Sequence, residues 1–279
     1  MQEIKSKIGF IGYGSMGRMI INGFLSSGVL RPENAILSNR TLDKLIQIKN
    51  KYPEIEITSD NGFLQAKCDK IFFFVATSAV KEVIENIKGN LSEDSHIIYI
   101  SAGLTMKNVS SIFPGKISKV IPSITSEVGE GVSLICHNQK VTERDAEVIN
   151  ELFNAISTVK IIDEEDFELG ADLTSCTPAF IAQIVRDFAA AGAEKGNFSQ
   201  EEAEDLVIRT LYGTAKLLYE QRISFDELIS RVATKGGITE QGVKVLEKEL
   251  PATFDELLKT TSSRYEEIEE KIDQQYLNK

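Results

Sequence analysis

The sequence predicts an α/β protein: a Rossmann-type, doubly wound parallel sheet followed by an all-α C-terminal domain. Three observations carry the prediction. Up to residue 163, short apolar runs alternate with amphipathic stretches, the pattern of strands covered on both faces by helices. A Gly12-Tyr13-Gly14-Ser15-Met16-Gly17 stretch follows the first such run and opens a helical repeat through Ile20, Ile21 and Phe24. After Asp163 the β pattern stops and a helical period runs to the C-terminus. The expected division is therefore 1–163 for the sheet domain and 164–279 for the helical domain.

The expected strands are Lys7 to Ile11, Ala35 to Leu37, Ile55 to Ile57, Ile71 to Val75, Ile97 to Ile100 and Lys119 to Ile121. Each is a continuous apolar run followed by a turn or helix-like segment, as a buried parallel strand requires. Thr41 before Leu42-Asp43-Lys44-Leu45 and Thr142 before Glu143-Arg144-Asp145-Ala146 read as helix caps. In the second half, helices are expected over Ala179 to Lys195, Gln200 to Gln221, Phe225 to Val232, Gln241 to Lys248 and Ala252 to Tyr276. The small residues Ala189 to Ala193 permit close helix packing.

Composition narrows the function. The 279 residues carry 31 basic and 42 acidic side chains, 31 − 42 = −11, and no basic stripe, which argues against nucleic acid as the main partner. The longest apolar run, Ile71 to Ala79, is too short to span a membrane, and Met1 to Lys5 do not begin a signal peptide, so a cytoplasmic protein is expected. Cys68, Cys136 and Cys176 form no CxxC pair, and only His96 and His137 accompany them. Neither a disulfide framework nor a metal site is expected.

In its strand-to-helix context the glycine stretch reads as a dinucleotide site. Gly12 allows the tight turn, Gly14 lets the backbone approach a pyrophosphate, Gly17 lets the helix pack closely, and the helix start at Ser15 and Met16 offers amides and a positive dipole end. Ser38-Asn39-Arg40-Thr41 ends the second strand without the carboxylate that would hold ribose hydroxyls. Arg40, with Asn39 beside it, suits a 2′-phosphate, so NADPH is expected, with NADH possible. A solvated arginine is the alternative, disfavoured because a cation at a helix start wants a balancing anion. Ala76-Thr77-Ser78 and Ala102-Gly103 leave strands at the carboxyl edge of the sheet, where ligands lie. Ordinary strand-to-helix turns have the same composition.

The glycine stretch, Lys119 to Gly131 with its Ile121-Pro122-Ser123, Leu173 to Phe180, and Thr234-Lys235-Gly236-Gly237-Ile238-Thr239 with Gly242 beyond occur in an order and spacing that resemble the pyrroline-5-carboxylate reductase family. The resemblance spans nearly the whole chain. It implies reduction of a small cyclic imine carboxylate with NAD(P)H, and a helical dimerisation and substrate domain that intertwines with a second subunit. A homodimer or higher homo-oligomer through residues 164–279 is the expected assembly. The family carries its substrate on the late loop. There Gly236, Gly237, Ile238 and Thr239 would offer amides to a carboxylate, flanked by the Thr234 and Thr239 hydroxyls. A loop whose glycines merely end one helix and start the next is the alternative. Thr239 is the expected catalytic residue, a hydroxyl at the imine nitrogen, and Ser123 an expected substrate contact.

The ligand-facing blocks depart from the family. Ile121-Pro122-Ser123 replaces Met-Pro-Asn, and Thr174-Ser175-Cys176-Thr177-Pro178-Ala179 replaces Ser-Gly-Ser-Gly-Pro-Ala. Thr234-Lys235-Gly236-Gly237 replaces Ser-Pro-Gly-Gly, and Ala76-Thr77-Ser78 replaces Val-Lys-Pro. Lys235 would hold an extra anionic group or point to water. A β-hydroxyacid dehydrogenase is a rival reading, but the lysine and asparagine of its interdomain helix are absent from Thr174 to Val185. A reductase-like protein that binds NADPH in a regulatory role, without catalysis, is the other.

Overall fold

The structure is a computed structural model that describes residues 7–277; Met1 to Lys5, read above for a leader, lie outside them. In chain order it comprises β1 (Ile8–Ile11), α1 (Ser15–Ser26), β2 (Ala35–Ser38), α2 (Asp43–Lys51), β3 (Glu56–Thr58), α3 (Asn61–Gln65) and β4 (Lys70–Phe73). Then come α4 (Thr77–Ile87), β5 (His96–Ile100), α5 (Met106–Ile112), β6 (Lys116–Pro122), β7 (Gly131–His137), α6 (Glu143–Asn154) and β8 (Ser157–Ile161). The helical half follows as α7 (Phe167–Ala171), α8 (Thr177–Lys195), α9 (Gln200–Gln221), α10 (Phe225–Val232) and α11 (Ile238–Leu277).

The eight strands form one sheet in the order β3-β2-β1-β4-β5-β6-β7-β8, parallel throughout except for the β6–β7 pair. Successive side chains on a strand face opposite sides, and both sides are buried here. Phe10 and Phe72 stack with ring centroids 5.1 Å apart in a core cluster with Phe24 and Phe153. Their chain neighbours Ile11 and Phe73 join a second cluster with Tyr99, Val80 and Ile84. Two-sided burial is why these strands read as unbroken apolar runs. The strand order reverses at β1, between β2 and β4, which opens a crevice at the carboxyl edge.

Several expectations are corrected. β7 is an additional strand, antiparallel to β6, so the sheet is mostly and not wholly parallel. Thr142 caps α6 by accepting from the Asp145 amide, but Thr41 caps nothing: α2 starts at Asp43, and its N-cap position, Leu42, has no side chain to do the work. The helix expected to begin at Ala179 continues from Phe167 through a wide π-turn at Asp172–Cys176. That widening suits Pro178, which has no N–H to give to the preceding turn. The two helices expected over Gln241 to Tyr276 are one, α11, with Pro251 inside it.

Two compact units result. The first joins the described residues up to Cys176 with those from Thr261 on; the second is Thr177–Thr260. The first unit reaches past the division expected at 163/164, with Phe167 and Ala171 buried among Ile121, Leu134 and Cys136 of the sheet. In the second unit, α8 and α9 pack together, and Ser199 and Glu202 close a capping box at the start of α9. Its aliphatic and aromatic side chains are largely exposed, Phe188 at 68% and Tyr212 at 69% among them. No helix among the described residues is long and apolar enough to cross a membrane.

Candidate functional site

The crevice at β1 holds a cavity of about 540 Å³ lined by Gly12, Gly14, Asn39, Arg40 and Ala76, all residues expected from the sequence. Gly12 makes the turn with φ +102°, and its amide donates to the Ser38 carbonyl at 2.8 Å. A Cβ at Gly12 would stand 2.5 Å from the Phe74 carbonyl oxygen, and one at Gly17 2.8 Å from the Phe74 ring, so both glycines are forced by close approach. Gly14 is different: a Cβ there would meet nothing, and the cradle is open above it. α1 begins at Ser15 with no side-chain cap and no acid in its first turn. The Ser15, Met16 and Gly17 amides, at the positive end of that helix, have no helical acceptor and are donors of the kind that suits an anion.

Asn39 holds the site's shape. Its Oδ1 accepts from the Tyr13 amide at 3.2 Å and its Nδ2 donates to the Thr41 carbonyl at 2.7 Å, tying the glycine turn to the β2–α2 turn. Arg40 is exposed on that second turn, and Lys44, one turn further along α2, lines the same cavity. Burial holds the Tyr13 phenol above its ordinary value, so it stays neutral beside the cradle. Thr77 and Ser78 open α4 at the next edge, and the Thr77 and Ser101 hydroxyls are 2.9 Å apart. Ala102 and Gly103 follow β5 outside this cavity, where Gly103 packs directly against Ile268.

The expected substrate residues divide. Ser123 is 1% exposed, and its hydroxyl donates to the Thr174 carbonyl at 3.2 Å and caps the 3₁₀ turn Ile124–Val128. The hydroxyl is thus engaged within the protein at this position. In the second unit, Thr234, Lys235, Gly236 and Gly237 form the loop between α10 and α11, and Ile238 and Thr239 open α11. Gly236 adopts φ +76° and its amide donates to Glu240 Oε2 at 2.9 Å. The Gly237 amide donates to the Thr234 carbonyl at 2.8 Å. Both glycine amides are engaged within the loop, so the donors left to the expected nest are the first helical amides, Ile238 and Thr239.

Residues 164–268 match the family described as pyrroline-5-carboxylate reductase dimerisation, and residues 7–103 the family described as NADP oxidoreductase coenzyme F420-dependent. The chain is 34% identical to pyrroline-5-carboxylate reductase 3 of Bacillus subtilis, over 96% of this chain and 99% of that one. It belongs to the pyrroline-5-carboxylate reductase family. The reductase of Methanobrevibacter smithii is 36% identical over 88% of this chain and 99% of its own length. Among solved structures, the Plasmodium falciparum pyrroline carboxylate reductase with NADP bound superposes with a TM-score of 0.82 at 25% identity, covering 95% of this chain and 98% of that one.

Two further residues stand at these places: Lys44 lines the cavity, and Glu240 accepts from the Gly236 amide. Lys44 sits inside the helix expected after the Thr41 cap, where a lysine in a helix reads as a solvated charge. Glu240 carried a visible signal, an acid in the first turn after a glycine pair, where a carboxylate folds back onto an exposed amide.

Proposed function

We infer that this chain is an NADPH-dependent oxidoreductase acting on a C=N bond, reducing pyrroline-5-carboxylate to proline. The full-length likeness to named reductases carries the reading, together with the relative that has NADP bound. When bound, NADPH would supply the hydride that the imine carbon needs, and the ring nitrogen would end protonated. The residues present fit it: an open cradle over Gly14, uncapped amides at the start of α1 for the pyrophosphate, and Arg40 with Lys44 for the 2′-phosphate. With no carboxylate after β2 to grip ribose hydroxyls, NADH is the weaker partner.

The substrate arrives as an iminium carboxylate and needs little acid catalysis, so placing it against the cofactor is the main task. In this reading the Ile238 and Thr239 amides take the carboxylate and the Thr239 hydroxyl stands at the imine nitrogen. Lys235 is exposed beside them, where water serves it. The chain works as a homodimer or larger homo-oligomer through its helical half. The match to a dimerisation family and the bare apolar faces of α8 and α9 support that assembly.

The test is steady-state oxidation of NADPH with pyrroline-5-carboxylate, compared with oxidation of hydroxy acids by NADP⁺. Turnover with the imine alone is expected. Turnover of hydroxy acids alone would put the dehydrogenase reading in its place, and NADPH binding without turnover of either would leave the non-catalytic one.

A further inference from the structure

The end of α11, from Thr261 on, packs in the same unit as the sheet and is fastened along its length. Asp172, 4% exposed, accepts from the Thr261 hydroxyl at 2.6 Å and from the Tyr265 hydroxyl at 3.3 Å. Further on, Ile268 lies directly on Gly103, so close that a Cβ at Gly103 would stand 2.4 Å from Ile268 Cγ2. Ile272 is buried in the cluster that holds Val80, Ile84 and Tyr99. At the end, Asn108 Nδ2 donates to Asp273 Oδ1 at 2.7 Å. Lys81 Nζ donates to the Gln275 carbonyl, and lies 5.5 Å from the centroid of the Tyr276 ring.

These anchors share one place in the fold. Lys81 is on α4, Gly103 in the β5–α5 turn and Asn108 on α5. Thr77, at the start of α4, and Ser101, just before Gly103, are joined through their hydroxyls. The sheet order puts β4 and β5 on the side of β1 away from β2. Arg40 and Lys44 stand at β2, so a dinucleotide with its 2′-phosphate there and its pyrophosphate at α1 carries its nicotinamide half toward β4 and β5.

We propose that residues 261–277 are a positioning clamp for the nicotinamide half of NADPH, acting through Ile268 on the Gly103 turn and through Lys81 on α4. The proposal rests on the NADPH reading above. Ile268 itself touches no ligand; it fixes the height of the turn, and Gly103 lacks a side chain so that the helix can come down on it. The adenosine half, held at β2, is independent of the clamp.

The test compares NADPH with adenosine 2′,5′-bisphosphate, which carries the adenosine half alone, in binding to the full-length protein and its variants. Gly103→Ala overpacks the contact, and is expected to weaken NADPH by about tenfold while the bisphosphate stays within about twofold. Gly103→Ala combined with Ile268→Ala removes the 2.4 Å overlap with Cγ2 and leaves only the Ile268 Cβ position, at 3.2 Å, to give by a few tenths of an ångström, so NADPH affinity is expected to return to within about threefold of wild type, a coupling between neighbours. Without that rescue, the glycine serves the cofactor directly and the clamp is refuted. Equal losses for both ligands would refute it too, since they mark general loosening of the unit. If wild type binds NADPH but not the bisphosphate, the adenosine assignment at β2 fails and takes the clamp with it. If wild type binds neither, the NADPH reading fails first.

Discussion

His96 and His137 share one hydroxyl: His96 Nε2 and His137 Nδ1 each lie 2.7 Å from Ser118 Oγ. The group is buried at the amino edge of β5 and β6, away from the crevice, and the second nitrogen of each ring has no partner among the described residues. Burial drives both imidazoles down, His96 to about 3, with the nearby Lys70 charge adding to the effect.

Acid sensitivity follows. The unfolded histidines take up protons below about 6.5, whereas the folded ones resist, so the unfolded state binds more protons as the pH falls. Stability is complete above that value and declines toward about 3. At pH 5 the loss from His96 should be about 2 kcal/mol relative to pH 7.5. Asp145 acts with the same sign but in a lower pH window: burial raises its carboxyl, but hydrogen bonds from Lys70, Lys116 and Thr142 outweigh that and lower it. Its contribution is present above the ordinary carboxylate range and is lost only below it, so it adds nothing between pH 5 and 7.5. Urea unfolding at fixed protein concentration should show the decline, and His96→Gln should flatten it. An equally steep decline in His96→Gln would place its source elsewhere.

Cofactor choice is expected to rest on two cations. Arg40→Ala and Lys44→Ala should each weaken NADPH by about 1–3 kcal/mol, the scale of a charge-assisted hydrogen bond, and leave NADH nearly unchanged. Titration of both nucleotides by calorimetry decides it. Equal losses for the two would remove the 2′-phosphate from this end of the cavity.

How much of this was legible depends on what each residue faces. Gly12 and Gly17 were readable because their reason is local, a turn and a helix pressed on Phe74. Arg40 was readable from a missing carboxylate. β7 was not, because Ser133 breaks its apolar run and finds its partner in Ser157 on β8, at 2.7 Å. Ser123 is expected as a substrate contact from the motif around it, and its hydroxyl donates to Thr174, fifty-one residues away, a partner that the local sequence does not show. Past the division expected at 163, Phe167, 0% exposed, completes a sheet cluster from the helical side, a contact that local periodicity does not report. Periodicity reports the type of an element, and a distant partner decides which core it joins.

In the late loop, a Cβ at Gly237 would lie 2.6 Å from the Thr234 hydroxyl and 2.9 Å from its carbonyl oxygen, so Gly237→Ala should open the turn that presents Ile238 and Thr239. Imine reduction should fall while NADPH affinity survives. Thr239→Val keeps the shape and removes the hydroxyl, and should lower kcat by roughly ten- to a thousandfold. Steady-state kinetics with both variants checks this; unchanged kinetics in both would move the substrate site off the loop.

The helical unit makes the case for assembly. Of the residues Thr177–Thr260, only Ala189 and Ala203 are buried hydrophobics, while Ile181, Ile184, Phe188, Leu206 and Ile208 are exposed on α8 and α9. Val185, Phe188, Leu206, Val207 and Leu211 line an apolar groove of about 300 Å³. A water-facing apolar surface of this kind marks an interface, since burying each large side chain is worth about 1.5–3 kcal/mol. Wild type should therefore sediment as a dimer or larger species at micromolar concentration. Phe188→Asp and Leu206→Asp place a carboxylate where a partner's apolar side chain would lie, and the desolvation cost should shift each toward monomer. Arg209→Ala, on the same helix, breaks only an exposed pair with Asp205 and should leave the assembly intact. A monodisperse wild-type monomer, or aspartate variants that sediment like wild type, would show that this face is not where the copies meet.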